Sequence, residues 1–338
     1  MTGLRGVLIL GIPVAVILAF WLLARWERRH NHDPQTRSFV ARNGWPVAVF
    51  LVVAVSFWAL VMVVLPQLYM VDFSFHLKLP PSQRGGPRDV YTLENYQYFL
   101  FGSTRSTANW NVTHITAFWL TIVVSMCITV LNFLICYPLA YFMAQVGSGS
   151  QVRKLMLLLI IPYWVNELLR AFAFNILFGT SGVLNVILVK AGVIGSPIDF
   201  IGQDVALYSG LTYAYLLVMM FPLYNALESL DHNQIEAARD LGAPWWHVHL
   251  NVVMPFAKPG IASGCTLVFM LCAGALAAPL VLGGPKTLWF TPIVYDRFYQ
   301  AFNWNQGSAY AIVLLLTCIL FVMMVMRVFR VSLSEITR

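Results

Sequence analysis

Seven apolar runs divide this chain, at roughly 6–24, 46–71, 115–144, 155–178, 205–227, 259–283 and 309–327. Each approaches or exceeds the length of about 20 mostly apolar residues that a helix needs to cross a bilayer. Backbone inside hydrocarbon has no water to bond, so runs of this length specify helices. The chain is 59% hydrophobic and 10% charged, where a soluble domain carries about 25% charged residues. The fold class read from these runs is therefore all-α and integral to the membrane. Pro66, Pro138, Pro162, Pro222 and Pro279 lie in or beside the runs and mark kinks or ends. No connecting segment reads as a soluble domain.

The formal charge of +7 comes from 21 basic and 14 acidic residues. The basic residues are scattered among loops and form no basic face interleaved with aromatics, which argues against a nucleic-acid partner. Their distribution does orient the chain. One set of loops, including Arg25, Arg28, Arg29, Arg153, Lys154, Arg239, Lys258, Arg327 and Arg330, holds twelve Lys and Arg. The opposite set, including Lys78, Arg84, Arg88, Lys190 and Lys286, holds seven. The richer set is expected in the cytoplasm. The first run reads as an uncleaved helix with its N-terminus outside, because the basic cluster follows the apolar stretch and Leu22-Leu23-Ala24-Arg25-Trp26 makes a poor cleavage site. A cleaved or interfacial segment is the alternative. The five cysteines sit in apolar runs without CxxC or CxxH spacing and read as small buried hydrophobes. Asn111-Val112-Thr113 matches a glycosylation sequon and carries little weight.

One polar island breaks the apolar pattern between the fifth and sixth runs: Glu236-Ala237-Ala238-Arg239-Asp240-Leu241-Gly242, followed by Val252-Val253-Met254-Pro255. It reads as a short helix, a glycine turn and a second short helix. Asp231 or Asn233 caps the first helix. Gly242 suits a left-handed helix end. Ala243-Pro244 opens the second helix, and Pro255 and Pro259 are expected to end it before the next span. Ala237 and Ala238 let a partner approach the backbone, and Glu236 suits a basic residue on that partner. A solvated helical hairpin is the bland alternative.

The spacing of E-A-A, three residues, G, nine residues and then V-V-M-P resembles the EAA loop of permease subunits of ABC importers. Other segments resemble the spermidine/putrescine-type permeases among them. These are Ile161-Pro162-Tyr163-Trp164-Val165-Asn166 with Leu168-Leu169-Arg170, then Gly182-Val183-Leu184-Asn185, Leu93-Glu94-Asn95-Tyr96, Tyr137-Pro138-Leu139-Ala140-Tyr141, Leu282-Gly283-Gly284-Pro285 and Asn303-Trp304. The likeness covers roughly residues 46–330.

The resemblance implies a six-helix type I ABC importer permease core, residues 46–330, with a coupling loop at about 228–258 and a cytoplasmic tail at 331–338. Residues 1–45 would add one N-terminal transmembrane helix and a basic linker. It implies docking of two cytoplasmic ATPase subunits through Glu236, Ala237, Ala238, Arg239, Asp240, Gly242 and Pro255. It also implies a second permease subunit, most simply a different chain, and an extracytoplasmic binding protein that delivers substrate. The membrane would be the bacterial inner membrane. No GxxxxGK[ST] sequence is present, so ATP and Mg would bind the partner ATPase and this chain would hold no cofactor, metal or catalytic site. His247 and His249 are two apart and do not read as ligands.

The substrate pathway is placed at Tyr163, Trp164, Asn166, Glu167 and Arg170. Charge at bilayer depth costs about 2.5–3.5 kcal/mol at a helix centre, so it faces protein or water. Glu167 departs from the family pattern, where a small polar residue is expected. Either it pairs with Arg170 one turn away on the same helix, or it lends negative charge to a cation pathway beside the aromatic faces of Tyr163 and Trp164. Tyr208, Tyr213, Tyr215, Tyr224 and Met219-Met220 read as packing. The expected cargo is a polyamine or related small organic cation, with an opine or amino-acid derivative as the alternative. A secondary transporter or channel is the remote alternative, since it would show internal repeats and leave the polar island without a purpose.

Overall fold

The computed structural model describes Trp21 and residues 45–83, 86, 87, 89–103 and 110–331. The apolar run at 6–24, Trp21 excepted, and the tail beyond Val331 lie outside the described residues. Among the described residues every regular element is helical. Six stretches are long and apolar enough to cross a membrane: Val49–Ser74, Val112–Val146, Glu167–Lys190, Val205–Glu228, Trp245–Ala273 and Trp304–Phe329.

The chain forms two units, Met1–Phe73 and Ser74–Arg338. In the first, α1 (Trp45–Ala59) runs through a wide π-type turn at Leu60–Val64 into α2 (Leu65–Ser74). Phe50, Val55, Met62 and Leu68 are each at least half exposed, the all-round apolar surface of a helix solvated by lipid. The wide turn ends two residues before Pro66. Proline lacks the N–H for the next helical bond, and its ring collides with the carbonyl four residues back. A locally wider turn relieves both problems.

The second unit contains α3 (Glu94–Phe101), α4 (Val112–Tyr141, extended by a wide turn at Phe142–Val146), α5 (Gly149–Tyr163), α6 (Glu167–Phe178), α7 (Val183–Lys190), α8 (Val205–Glu228), α9 (His232–Asp240), α10 (Trp245–Val248), α11 (Met254–Ala273), α12 (Ala277–Leu282), α13 (Phe290–Tyr299) and α14 (Trp304–Phe329). Its core lies where α4, α8 and α11 meet. Leu207, Leu211, Tyr215, Met219, Leu223 and Leu227 are all buried on α8, a stripe at four-residue spacing down one helix face. Tyr215, Met219 and Met220 thus serve packing, as the sequence indicates.

Lipid tails are as apolar as leucine, so these helices associate through close contact rather than water exclusion. Gly260 and Gly264 supply it. A β-carbon on Gly260 would fall 2.4 Å from the Ala226 β-carbon, and one on Gly264 would fall 2.7 Å from the Met219 sulfur. Gly260→Val is expected to destabilise the unit by about 1–3 kcal/mol through overpacking. A fall in the thermal midpoint of the purified permease would show it, and an unchanged midpoint would contradict this packing.

Two expected spans are interrupted. The run at 155–178 is not one helix, because α5 ends at Tyr163 and α6 begins at Glu167. The N–H groups of Trp164 and Val165 bond back three residues, to Ile161 and Pro162 (3.3 Å each). The Asn166 side chain then accepts from the Leu168 N–H at 2.9 Å and caps a new helix. An asparagine that bonds its own backbone competes with helix continuation. The run at 259–283 breaks at Gly274–Leu276. There the Thr291 hydroxyl donates to the freed Ala273 carbonyl at 3.0 Å, which satisfies internally a group that lipid cannot.

Asn95 explains the Leu93-Glu94-Asn95-Tyr96 segment. Its buried amide donates to the carbonyls of Ser74 (2.9 Å) and His76 (2.8 Å), tying the chain that enters this unit to α3. Asn305, at the start of α14, donates to the same His76 carbonyl at 2.8 Å.

Candidate functional site

The polar island folds as a helix, a left-handed turn and a second helix. Asp231 is the cap of α9; its carboxylate accepts from the Asn233 N–H at 3.0 Å. The other end closes as a Schellman turn. The N–H of Gly242 bonds the Arg239 carbonyl (2.8 Å), and that of Ala243 bonds the Ala238 carbonyl (3.1 Å). Gly242 has φ +79°, a conformation that costs a residue with a β-carbon about 1–2 kcal/mol. No atom lies within 4 Å of where that β-carbon would sit, so glycine is required here by backbone conformation and not by crowding.

The second helix does not end where the prolines stand. Pro244 lies just outside as N-cap, α10 passes into a wide turn at His249–Val253, and α11 continues to Ala273 with Pro255 and Pro259 inside. The reason is the one seen at Pro66. The wide turn precedes Pro255 by two residues and absorbs its missing hydrogen bond. Pro255 therefore shapes a helix that runs without interruption from the loop into the core.

Loop burial is sharply divided. Ile235, Val248 and Val253 are buried and seat the loop on the core. Leu241, Trp245, Trp246 and Leu250 are exposed, Leu241 at 89%. Glu236, Ala237, Arg239 and Asp240 are also exposed, while Ala238 is half-buried. A protruding leucine and tryptophan beside small and charged residues have the make-up of an interface centre with a polar rim. Sequence reasoning missed Leu241, although a lone leucine inside a polar stretch is itself a signal.

It also missed two residues that hold the loop, Gln145 and His249, and one within it, His232, that faces Glu236. Gln145, in the wide turn after α4, donates to the carbonyls of Leu227 (2.7 Å) and Leu230 (3.0 Å). The His249 Nδ1 lies 2.8 Å from the Tyr137 hydroxyl, and its ring meets Tyr141 edge to face with centroids 4.4 Å apart. His232 contacts both Gln145 and Glu236. Apart from Glu236, four residues after His232, these partners are 82 to 112 positions away in sequence, beyond the reach of a local pattern.

The proposed pathway residues cluster at the α5–α6 break. Tyr163 ends α5, Trp164 is 86% exposed, Asn166 is the cap, and Glu167 opens α6 on the surface. The intrahelical pair left open by the sequence is absent: among the described residues Glu167 and Arg170 form no ion pair. Arg170 instead lies over the Tyr163 ring at 5.1 Å from its centroid. Glu167 needs no cation to be stable, because the first turn of a helix presents free N–H groups and a positive dipole end. The buried Nε of Arg170 has no hydrogen-bond partner. A cavity of about 100 Å³ between Leu158, Pro162, Tyr163, Arg170, Tyr213 and Leu217 adjoins it. A larger groove, about 530 Å³, lies away from these residues between α4, α11 and α14 and is apolar apart from Thr129 and Lys258.

Beside α6, two loops are clasped. Asn185 donates to the carbonyls of Gly179 (3.0 Å) and Ile198 (2.9 Å) and accepts from the Ile198 N–H (2.9 Å). The Thr287 hydroxyl donates to the Asp204 carboxylate. Gly284 lets these loops meet, since a β-carbon there would fall 2.8 Å from the Ile201 carbonyl. The Asn185 and Gly284 segments thus have structural work.

Residues 136–330 match the family described as binding-protein-dependent transport system inner membrane component. The spermidine/putrescine transport system permease protein PotB of Haemophilus influenzae is 32% identical over 264 residues, covering 78% of this chain and 87% of that protein. PotB of Escherichia coli is 31% identical over 265 residues, covering 78% and 91%. Among solved structures, a bacterial ABC transporter that imports the acidic polysaccharide alginate aligns with a TM-score of 0.66 at 17% identity, over 86% of this chain and 96% of that one. The fold is that of ABC transporter permeases. With six helices among its described residues long and apolar enough to cross a membrane, this chain belongs to the inner-membrane permease family of binding-protein-dependent transport systems.

Proposed function

We propose that this chain is a permease subunit of an ATP-driven importer whose cargo is a polyamine of the spermidine or putrescine kind. The observation that carries the importer reading is the exposed Leu241–Trp245 knob on a capped, glycine-turned loop continuous with a core helix. The cargo reading rests on likeness to PotB over most of both chains, supported by a surface carboxylate, Glu167, set among Tyr163 and Trp164. An ammonium group meets an acid and aromatic faces there.

In this reading the loop and the C-terminus face the cytoplasm, the side with twelve of the basic loop residues. Two ATPase subunits bind the loops and carry ATP and Mg, a second permease chain completes the pathway, and an extracytoplasmic protein delivers cargo. ATP binding draws the coupling loops together, the helices rotate, and the cavity changes the side it faces. This chain itself hydrolyses nothing.

A second reading, an opine or amino-acid derivative as cargo, is favoured by Arg170, whose orphaned Nε would gain an acceptor from a cargo carboxylate. Hydrolysis by the reconstituted complex separates the readings. Under the first, binding protein loaded with spermidine stimulates ATP hydrolysis. Stimulation only by a carboxylate-bearing cation would overturn the polyamine cargo and keep the importer.

A further inference from the structure

Glu236 is one of two acidic residues, with Asp240, assigned to docking, and the structure gives it a neighbour. The Nε2 of His232, one helical turn earlier on α9, lies 3.4 Å from the Glu236 carboxylate. Its Nδ1 lies 3.2 Å from the side-chain oxygen of Gln145. The orientation of Gln145 is fixed independently, since its NH₂ is spent on the Leu227 and Leu230 carbonyls. What it turns to His232 is an acceptor, so Nδ1 must donate. Nε2, on the opposite side of the ring, faces the Glu236 carboxylate. One ring thus links the end of α4 to the docking carboxylate, and it engages one Glu236 oxygen while the side chain stays 59% exposed.

We infer that His232 is a positioning residue for docking: it holds the Glu236 carboxylate in one orientation, with an oxygen free for a basic group on the ATPase, and it references that orientation to α4 through Gln145. A carboxylate fixed before the partner arrives loses less rotamer freedom on binding. The inference rests on the docking role proposed for the loop.

The test is a titration of labelled ATPase subunit onto the permease pair in nanodiscs, with His232→Asn, His232→Lys, Glu236→Gln and the Asn/Gln double variant. Exposed pairs of this kind change an equilibrium roughly two- to fivefold. His232→Asn is expected to weaken binding by that factor. His232→Lys, which offers an N–H donor one turn from Glu236, restores it. The double variant binds no more weakly than Glu236→Gln alone, because His232 acts only through Glu236. A merely structural histidine would not be rescued by lysine, and its loss would multiply with that of Glu236→Gln; either result overturns the inference. Wild-type affinity in His232→Asn alongside a weakened Glu236→Gln overturns it as well and leaves the docking role intact. Wild-type affinity in Glu236→Gln removes the carboxylate's docking role and the inference together.

Discussion

The permease carrying Glu236→Lys and Gly242→Val is expected to remain folded and to lose its ATPase. Each change strikes the loop where it meets solvent and not where it meets the core. Valine at φ +79° is strained by at least the 1–2 kcal/mol of the left-handed region. It has room, with no atom within 4 Å of its β-carbon, so relaxation reorients the turn without unseating Ile235 or Val248. The turn aims Leu241 and Trp245, and reorienting it removes the knob from its socket. Lysine at 236 adds a like charge beside any basic partner group. Breaking a desolvated interface pair costs about 2–5 kcal/mol, a loss of roughly thirty- to several-thousand-fold in affinity. Co-purification of the ATPase should fall to background while the thermal midpoint of the permease holds. A variant complex that still hydrolyses ATP in response to loaded binding protein would refute the docking role.

Glu167→Gln should be the most damaging conservative change near the α5–α6 break. Glutamine keeps the size of the side chain, and the cap from Asn166 to the Leu168 N–H does not involve it. What is lost is one negative charge at the surface. A hydrogen bond to a charged group is worth about 1.5–3 kcal/mol, so polyamine uptake should drop roughly 10- to 100-fold. ATPase co-purification and the thermal midpoint should be unaffected. The absence of a Glu167–Arg170 pair makes this a clean experiment, because neutralising Glu167 takes no ion-pair partner from Arg170. Uptake at the wild-type rate would reduce Glu167 to a favourable charge at a helix start.

The spans, the loop and the glycine turn were legible because each rests on local physics. Apolar length sets a span, Asp231 caps a helix, and Gly242 tolerates a left-handed backbone. The breaks were harder. Pro162 and Asn166 are both visible in sequence, but hydropathy averages over 155–178 and hides a cap among apolar neighbours. Pro255 misled in the opposite direction. Proline ordinarily stops a helix, and here a wide turn at His249–Val253 absorbs it, an adjustment no single residue advertises. Gln145, His232 and His249 were illegible for another reason. Gln145 and His249 depend on partners that only the fold brings near, and His232, though one turn from Glu236, offers a sequence reader nothing to choose between ligand, packing and support.

The central claim, a polyamine importer permease, is tested most directly by ATP-dependent uptake of labelled spermidine and putrescine into vesicles holding the full complex with its binding protein. The account predicts uptake that requires ATP, is blocked by excess unlabelled polyamine and is lost in the Glu236→Lys, Gly242→Val variant. ATP-driven uptake of a different solute, with no polyamine transported, would contradict it.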